Sequence, residues 1–168
     1  VVLVNSSAPL DRPGAYRGYD PLHFAAWWAV ARVRAWPRVA AWIQARYFPP
    51  GRRRLPRRMG RAMSRADREV LRDPDVQAAA MRHLGEAFRQ GSRGVALEMV
   101  LLSRPWGFRP EDITIPVDLW QGTEDRNVPR AAGDYLARAI PHCRARFVAG
   151  AGHLLADPAG EIRAVLLG

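Results

Sequence analysis

The chain has 168 residues, 48% of them hydrophobic, which is enough for one globular domain with a real core. Its formal charge of +10 is carried entirely by arginine, since all 26 basic residues are Arg; with abundant Ala, Gly and Pro this is the usage of a GC-rich coding sequence, which weakens a nucleic-acid reading based on charge alone. The single Cys143 excludes an internal disulfide and a multi-cysteine metal site, no apolar run approaches the ~18 residues of a membrane span, and no signal peptide is visible, so the cytoplasm is the default compartment.

In chain order, Val1-Val2-Leu3-Val4-Asn5 is a continuous apolar run closed by Ser6-Ser7-Ala8-Pro9, which predicts a strand buried on both faces of a parallel sheet. Asp11 to Asp20, with Pro13, Gly14 and Gly18, is a loop leading away from it. From Pro21 to Phe48 the chain is apolar and aromatic, with Trp27, Trp28, Trp36 and Trp42 set among Ala and Val. An interior Pro removes a helical hydrogen bond and clashes with the preceding turn, so two helices meeting at Pro37 are expected. Pro49 to Arg58 is a solvated Pro/Arg loop, and the basic excess is local: Arg32 to Arg72 holds 13 arginines against only Asp67 and Glu69.

Ser64-Arg65-Ala66-Asp67 predicts a helix start with Ser64 as its cap. Asp73-Pro74-Asp75 predicts another, running about four turns to Arg89. On it Val76, Ala79, Ala80, His83, Leu84 and Ala87 share a face, and His83 on that stripe reads as a packed structural residue rather than a catalyst. Gly94 to Ser103 gives a further helix with Val95, Met99 and Leu102 on one side, after which Arg104 to Pro116 leads back towards a sheet.

The most informative stretch follows. Pro116-Val117-Asp118-Leu119-Trp120-Gln121-Gly122-Thr123-Glu124-Asp125-Arg126-Asn127-Val128-Pro129 is a short apolar run ending in a Gly turn that presents Asp125; Phe147-Val148-Ala149-Gly150-Ala151-Gly152-His153-Leu154 repeats the arrangement with His153. Between them Arg130 to Ile140 reads as a helix opened by Pro129 and closed before Pro141, with Cys143 a small buried residue at the start of the next strand. This is a βαβ unit; parallel strands joined by a right-handed crossover bring both turns to one carboxyl edge, where open α/β sheets place their sites. Of the other carboxylates, Asp118 should point away from the turn and Glu124 should face solvent, while Asp157 reads as the cap of a last helix from near Pro158 through Leu166.

Gly122-Thr123-Glu124-Asp125-Arg126-Asn127-Val128-Pro129 and Gly150-Ala151-Gly152-His153, in that order and at that separation, resemble the end of the α/β-hydrolase fold, which carries the acid and the histidine of a nucleophile…Asp…His triad. The resemblance implies an α/β fold in which a partial parallel sheet carries a large helical cap insertion: residues 1–20 as the start of a core fragment, 21–108 as the cap and 109–168 as the carboxyl-terminal βαβ. Asp125 would be the orienting acid and His153 the general base, and Trp27 and Trp28 of the cap would line an apolar substrate pocket.

The family's Gly-x-Ser-x-Gly elbow is absent, the nearest stretch being Gln90-Gly91-Ser92-Arg93-Gly94. The chain is therefore expected to be the carboxyl-terminal part of a longer protein, inactive alone, whose nucleophile (Ser, Cys or Asp) lies roughly 20 to 30 residues before Val1, the space of one helix and two loops. The intact enzyme would cleave a small apolar ester-like, acyl or epoxide bond without metal or organic cofactor. The rival expectation is a non-catalytic hydrolase-like module whose Trp/Arg-rich insertion, with Arg52, Arg53 and Arg54, binds an anionic membrane surface or a protein partner.

Overall fold

A computed structural model describes residues 1–155 and 164. Three parallel strands, β1 (Val2–Val4), β2 (Val117–Gly122) and β3 (Cys143–Val148), lie in the order β1-β2-β3. Val2 stands opposite Asp118 and Val4 opposite Trp120; Val117 stands opposite Cys143 and Gly122 opposite Val148. β2 is buried along its whole length because it is central and covered on both faces, which is what its apolar run requires.

Seven α-helices lie among the described residues: α1 (Pro21–Arg32), α2 (Trp36–Tyr47), α3 (Arg57–Ala62), α4 (Arg65–Val70), α5 (Pro74–Ala87) and α6 (Arg93–Leu102) between β1 and β2, and α7 (Arg130–Ala139) as the β2–β3 crossover. Pro129 stands at the N-cap of α7, where its missing N–H breaks no helical hydrogen bond, and α7 lays Ala132, Gly133 and Leu136 onto the sheet. Gly133 sits so close to Gln121 that a Cβ there would meet its Cγ at 2.9 Å. The core under α7 joins Ala8, Val117, Leu119, Val128, Ala132, Leu136 and Ile140. The opposite face of β2 carries Asp118, paired with Arg144 at 3.1 Å, and Trp120, with the Arg146 guanidinium 4.8 Å over its ring.

The helices between β1 and β2 have a separate core of Phe48, Met81 and Phe88, in which the two phenylalanine rings lie nearly parallel, 9° apart. Asp20 caps α1 through the amides of Leu22 and His23, Ser64 caps α4 through the amide of Asp67, and Asp73 caps α5 through those of Asp75 and Val76.

Several expectations are corrected. β1 is not buried on both faces, since Val1 is 65% and Val4 39% exposed: among the described residues nothing pairs with its outer edge. Pro37 does not divide α1 from α2. The break falls at residues 33–35, and Pro37 lies in the first turn of α2, where its missing N–H costs nothing. The buried face of α5 is turned from the one expected: Val76, Ala79, His83 and Ala87 are exposed, while Met81 and Gly85 are buried and Ala80 and Leu84 half-buried. The large Met81 and the following Phe88 contribute far more buried area than a row of alanines, and Gly85 brings the helix against Pro50, whose Cα would stand 3.4 Å from a Cβ there. His83 is therefore a surface residue. Arg57 and Arg58 begin α3 instead of ending the preceding loop, and Cys143 is only half-buried. Asp157 and the helix expected from Pro158 to Leu166 fall outside the described residues, apart from Ala164, which is helical.

Candidate active site

β2 ends in Gly122 and releases the chain into Thr123-Glu124-Asp125. One Asp125 oxygen, Oδ1, accepts the amides of Asn127 at 2.8 Å and Val128 at 2.9 Å, an Asx turn that aims the chain into Pro129 and α7. The other, Oδ2, accepts from Nδ1 of His153 at 2.9 Å. The Asp125 side chain is fully buried, whereas the imidazole is 36% exposed. One carboxylate thus both shapes its own turn and holds a histidine from the next strand end.

The loop after β3 is brought to this position by a set of backbone contacts that the glycines permit. Gly150 adopts φ 72°, a conformation that costs a residue with a Cβ. Its amide donates to Thr123 Oγ1 at 2.9 Å, and the Glu124 amide donates to the Ala151 carbonyl at 2.8 Å. A Cβ on Gly122 would run into the carbonyl oxygens of Ala151 and Gly152, so only glycine lets the two strand ends close on each other.

A third strand end joins them. Asn5, directly after β1, has φ 45° and is buried. Its Nδ2 donates to the carbonyls of Gly152 at 3.1 Å and His153 at 2.7 Å, and its Oδ1 accepts the Gly122 amide at 2.8 Å. A fourth contact comes from α4: the buried Asp67 accepts the Leu154 amide at Oδ1, 2.7 Å, and the Ser64 hydroxyl at Oδ2, 2.7 Å. Tyr19, from the loop after β1, feels the charge of the acid: burial first and the negative charge of Asp125 second push its phenol up to about 12.

The His153 pKa is raised above its ordinary 6.5, chiefly because Asp125 accepts from the ring; burial works in the opposite sense, and the charges of Asp125 and Asp67 add to the rise. An imidazole fixed through Nδ1 by a buried carboxylate has Nε2 left to exchange a proton with a reacting group. Among the described residues no hydroxyl or thiol bonds to Nε2, and no cluster of His, Cys, Asp and Glu is suited to hold a metal.

Asp125 and His153, expected to meet from the sequence, are thus within hydrogen-bonding distance. Glu124 is exposed and Asp118 is engaged by Arg144, so neither competes for the ring. Trp27 is half-buried and Trp28 is 43% exposed with the Arg32 guanidinium 5.1 Å from its ring; among the described residues neither shares a hydrogen bond or ring contact with the pair. Sequence reasoning missed Asn5, Asp67 and Tyr19. The first had a usable signal, since a polar residue closing a parallel strand falls on the same carboxyl edge as the other strand ends. The contact of Asp67 with Leu154, 87 positions away, left none in a local pattern.

No protein-family model matches the sequence, and no curated protein does. Solved structures do match. BpoC of Mycobacterium tuberculosis H37Rv aligns over 99% of this chain and 55% of its own, at 19% identity and a TM-score of 0.51. The esterase RhEst1 from Rhodococcus sp. ECU1013 aligns over 99% and 54%, at 17% identity and a TM-score of 0.53, and the esterase EaEST from Exiguobacterium antarcticum over 99% and 55%, at 16% and 0.53. The chain spans about half the length of these structures. At such identities the likeness speaks for fold alone, and with the strand order and the two site-bearing turns it leads to one conclusion: this chain has the α/β-hydrolase fold over about half of that fold's extent.

Proposed function

We propose that Asp125 and His153 are the orienting acid and general base of a nucleophile-His-Asp triad, and that the intact protein hydrolyses a small apolar ester-like, acyl or epoxide bond with a nucleophile carried by residues preceding Val1. The observation that carries this reading is the 2.9 Å bond from His153 Nδ1 to a carboxylate with no exposed side-chain surface. In an acyl transfer, Nε2 takes the proton from a Ser or Cys nucleophile as it attacks the carbonyl, then returns it to the leaving group; a water then repeats the sequence on the covalent intermediate. Asp125 fixes the tautomer and stabilises the imidazolium formed on the way. With an Asp nucleophile the same base activates the water of the second step. Trp27 and Trp28 would supply apolar surface above the reacting bond, as mostly apolar ligand clefts require.

The test is turnover of p-nitrophenyl esters by the intact protein and two variants. His153→Ala is expected to abolish the activity, and Asp125→Asn to lower kcat by about 10⁴ with little change in fold, the scale of losing the acid in a serine protease triad. Turnover that survives His153→Ala would remove the assigned base.

A further inference from the structure

We propose that Asp67 is a positioning residue for His153: its buried carboxylate, delivered by α4, grips the loop after β3 at Leu154 and ties the placement of the imidazole to that of the helices between β1 and β2. The proposal rests on the reading of Asp125 and His153 as acid and base.

Asp67 is 3% exposed, and a carboxylate in such a position must have its oxygens satisfied. They are: Oδ2 accepts the Ser64 hydroxyl at 2.7 Å, and Oδ1 accepts the Leu154 amide at 2.7 Å. Ser64 is itself 2% exposed, and its Oγ accepts the Asp67 amide at 3.0 Å as the α4 cap. Had capping been the only role, neither residue would need burial, and the cap would not need a partner far along the chain. The fit is close, since Gly152 has no space for a Cβ against Asp67 and Ser64.

The remaining supports of this loop come from the sheet: Asn5 after β1, and Thr123 and Glu124 just beyond β2. Among the described residues α4 is the element outside the sheet that holds it, one residue beyond the imidazole. Asn5 is neutral, so the charges acting on the ring among the described residues are those of Asp125 from the end of β2 and Asp67 from α4. A movement of α4 would withdraw both a hydrogen bond from the loop and a negative charge from the base. Placement of the helical segment and readiness of the base are thereby coupled.

Imidazole and amide NMR on the 168-residue chain tests this. Asp67→Asn keeps the shape and an acceptor for Leu154, so it reads the charge: the His153 titration midpoint is expected to fall while Leu154 amide exchange stays close to that of the parent. Asp67→Ala removes the grip: Leu154 exchange is expected to quicken about tenfold or more, the factor that a hydrogen bond to a charged group supplies, and the His153 Nδ1 proton to exchange faster with solvent. An Asp67→Asn chain whose His153 midpoint equals the parent's overturns the proposal, as does a folded Asp67→Ala chain with parental exchange at both Leu154 and Nδ1. Loss of stability alone would move neither the midpoint of the Asn variant nor the ring proton selectively. Absence of ester turnover in the intact protein would strike the enzyme reading and leave these shifts in place, so the two failures are distinguishable.

Discussion

Asp125 does two jobs with two oxygens, and the division explains why the turn and the pair cannot be separated. Oδ1 is committed to the amides of Asn127 and Val128, which orients Oδ2 towards His153. Because the bond favours the protonated ring, the folded pKa of His153 lies above its ordinary 6.5. The sign of the linkage follows: the stabilisation from protonating His153 is fully present below the unfolded pKa and is lost as pH rises through the folded value. Denaturation of the parent and of Asp125→Asn should therefore diverge most on the acid side of that window and converge on its alkaline side with respect to this contribution; a gap that widens with pH would contradict the assigned cause. The catalytic counterpart runs the other way, since only the neutral ring can accept a proton.

At the level of elements, the chemistry depends on how closely the ends of β2 and β3 approach. Gly122 is the residue that sets this distance, because the atoms a Cβ would strike there are backbone carbonyls of the facing loop, which cannot rotate away as a side chain could. Gly122→Ala is expected to push the Gly150–His153 loop outward, to lower thermal stability, and to speed exchange of the Nδ1 proton with solvent; a variant with the parent's melting temperature and ring-proton exchange would show that the loop has slack. The βαβ unit was legible in the sequence because its signals are local: apolar runs of strand length, Pro129 at the start of α7, Pro141 after it, and glycines at both turns. The α5 stripe misled for an equally physical reason. Counting apolar positions gave Ala the same weight as Met81 and Phe88, yet buried area decides which face turns inward, and Phe48 with Pro50 supplies the surface that receives it.

At the scale of the whole molecule, two cores among the described residues serve two purposes. The cluster under α7 fixes the strands, and the cluster of Phe48, Met81 and Phe88 fixes the helices between β1 and β2. The sheet end and the helices meet at the Gly152–Leu154 segment, through Ser64 and Asp67. That meeting is tertiary and non-local, so nothing in the spacing of Ser64 and Asp67 beyond a helix cap could announce it; the same holds for the left-handed Asn5, whose three side-chain hydrogen bonds reach residues more than a hundred positions away. The exposure of β1 was likewise invisible in its sequence, because Val-Val-Leu-Val reads as interior whether or not a neighbouring strand covers its outer edge.

The central claim is that parallel strands deliver a buried carboxylate and an imidazole to one rim, with the ring held through Nδ1. Nitrogen-15 NMR of the His153 ring tests it most directly. The account expects a neutral form protonated at Nδ1, with that proton protected from solvent and lost from this position in Asp125→Ala. A ring protonated chiefly at Nε2, with a spectrum indifferent to the Asp125 substitution, would contradict it.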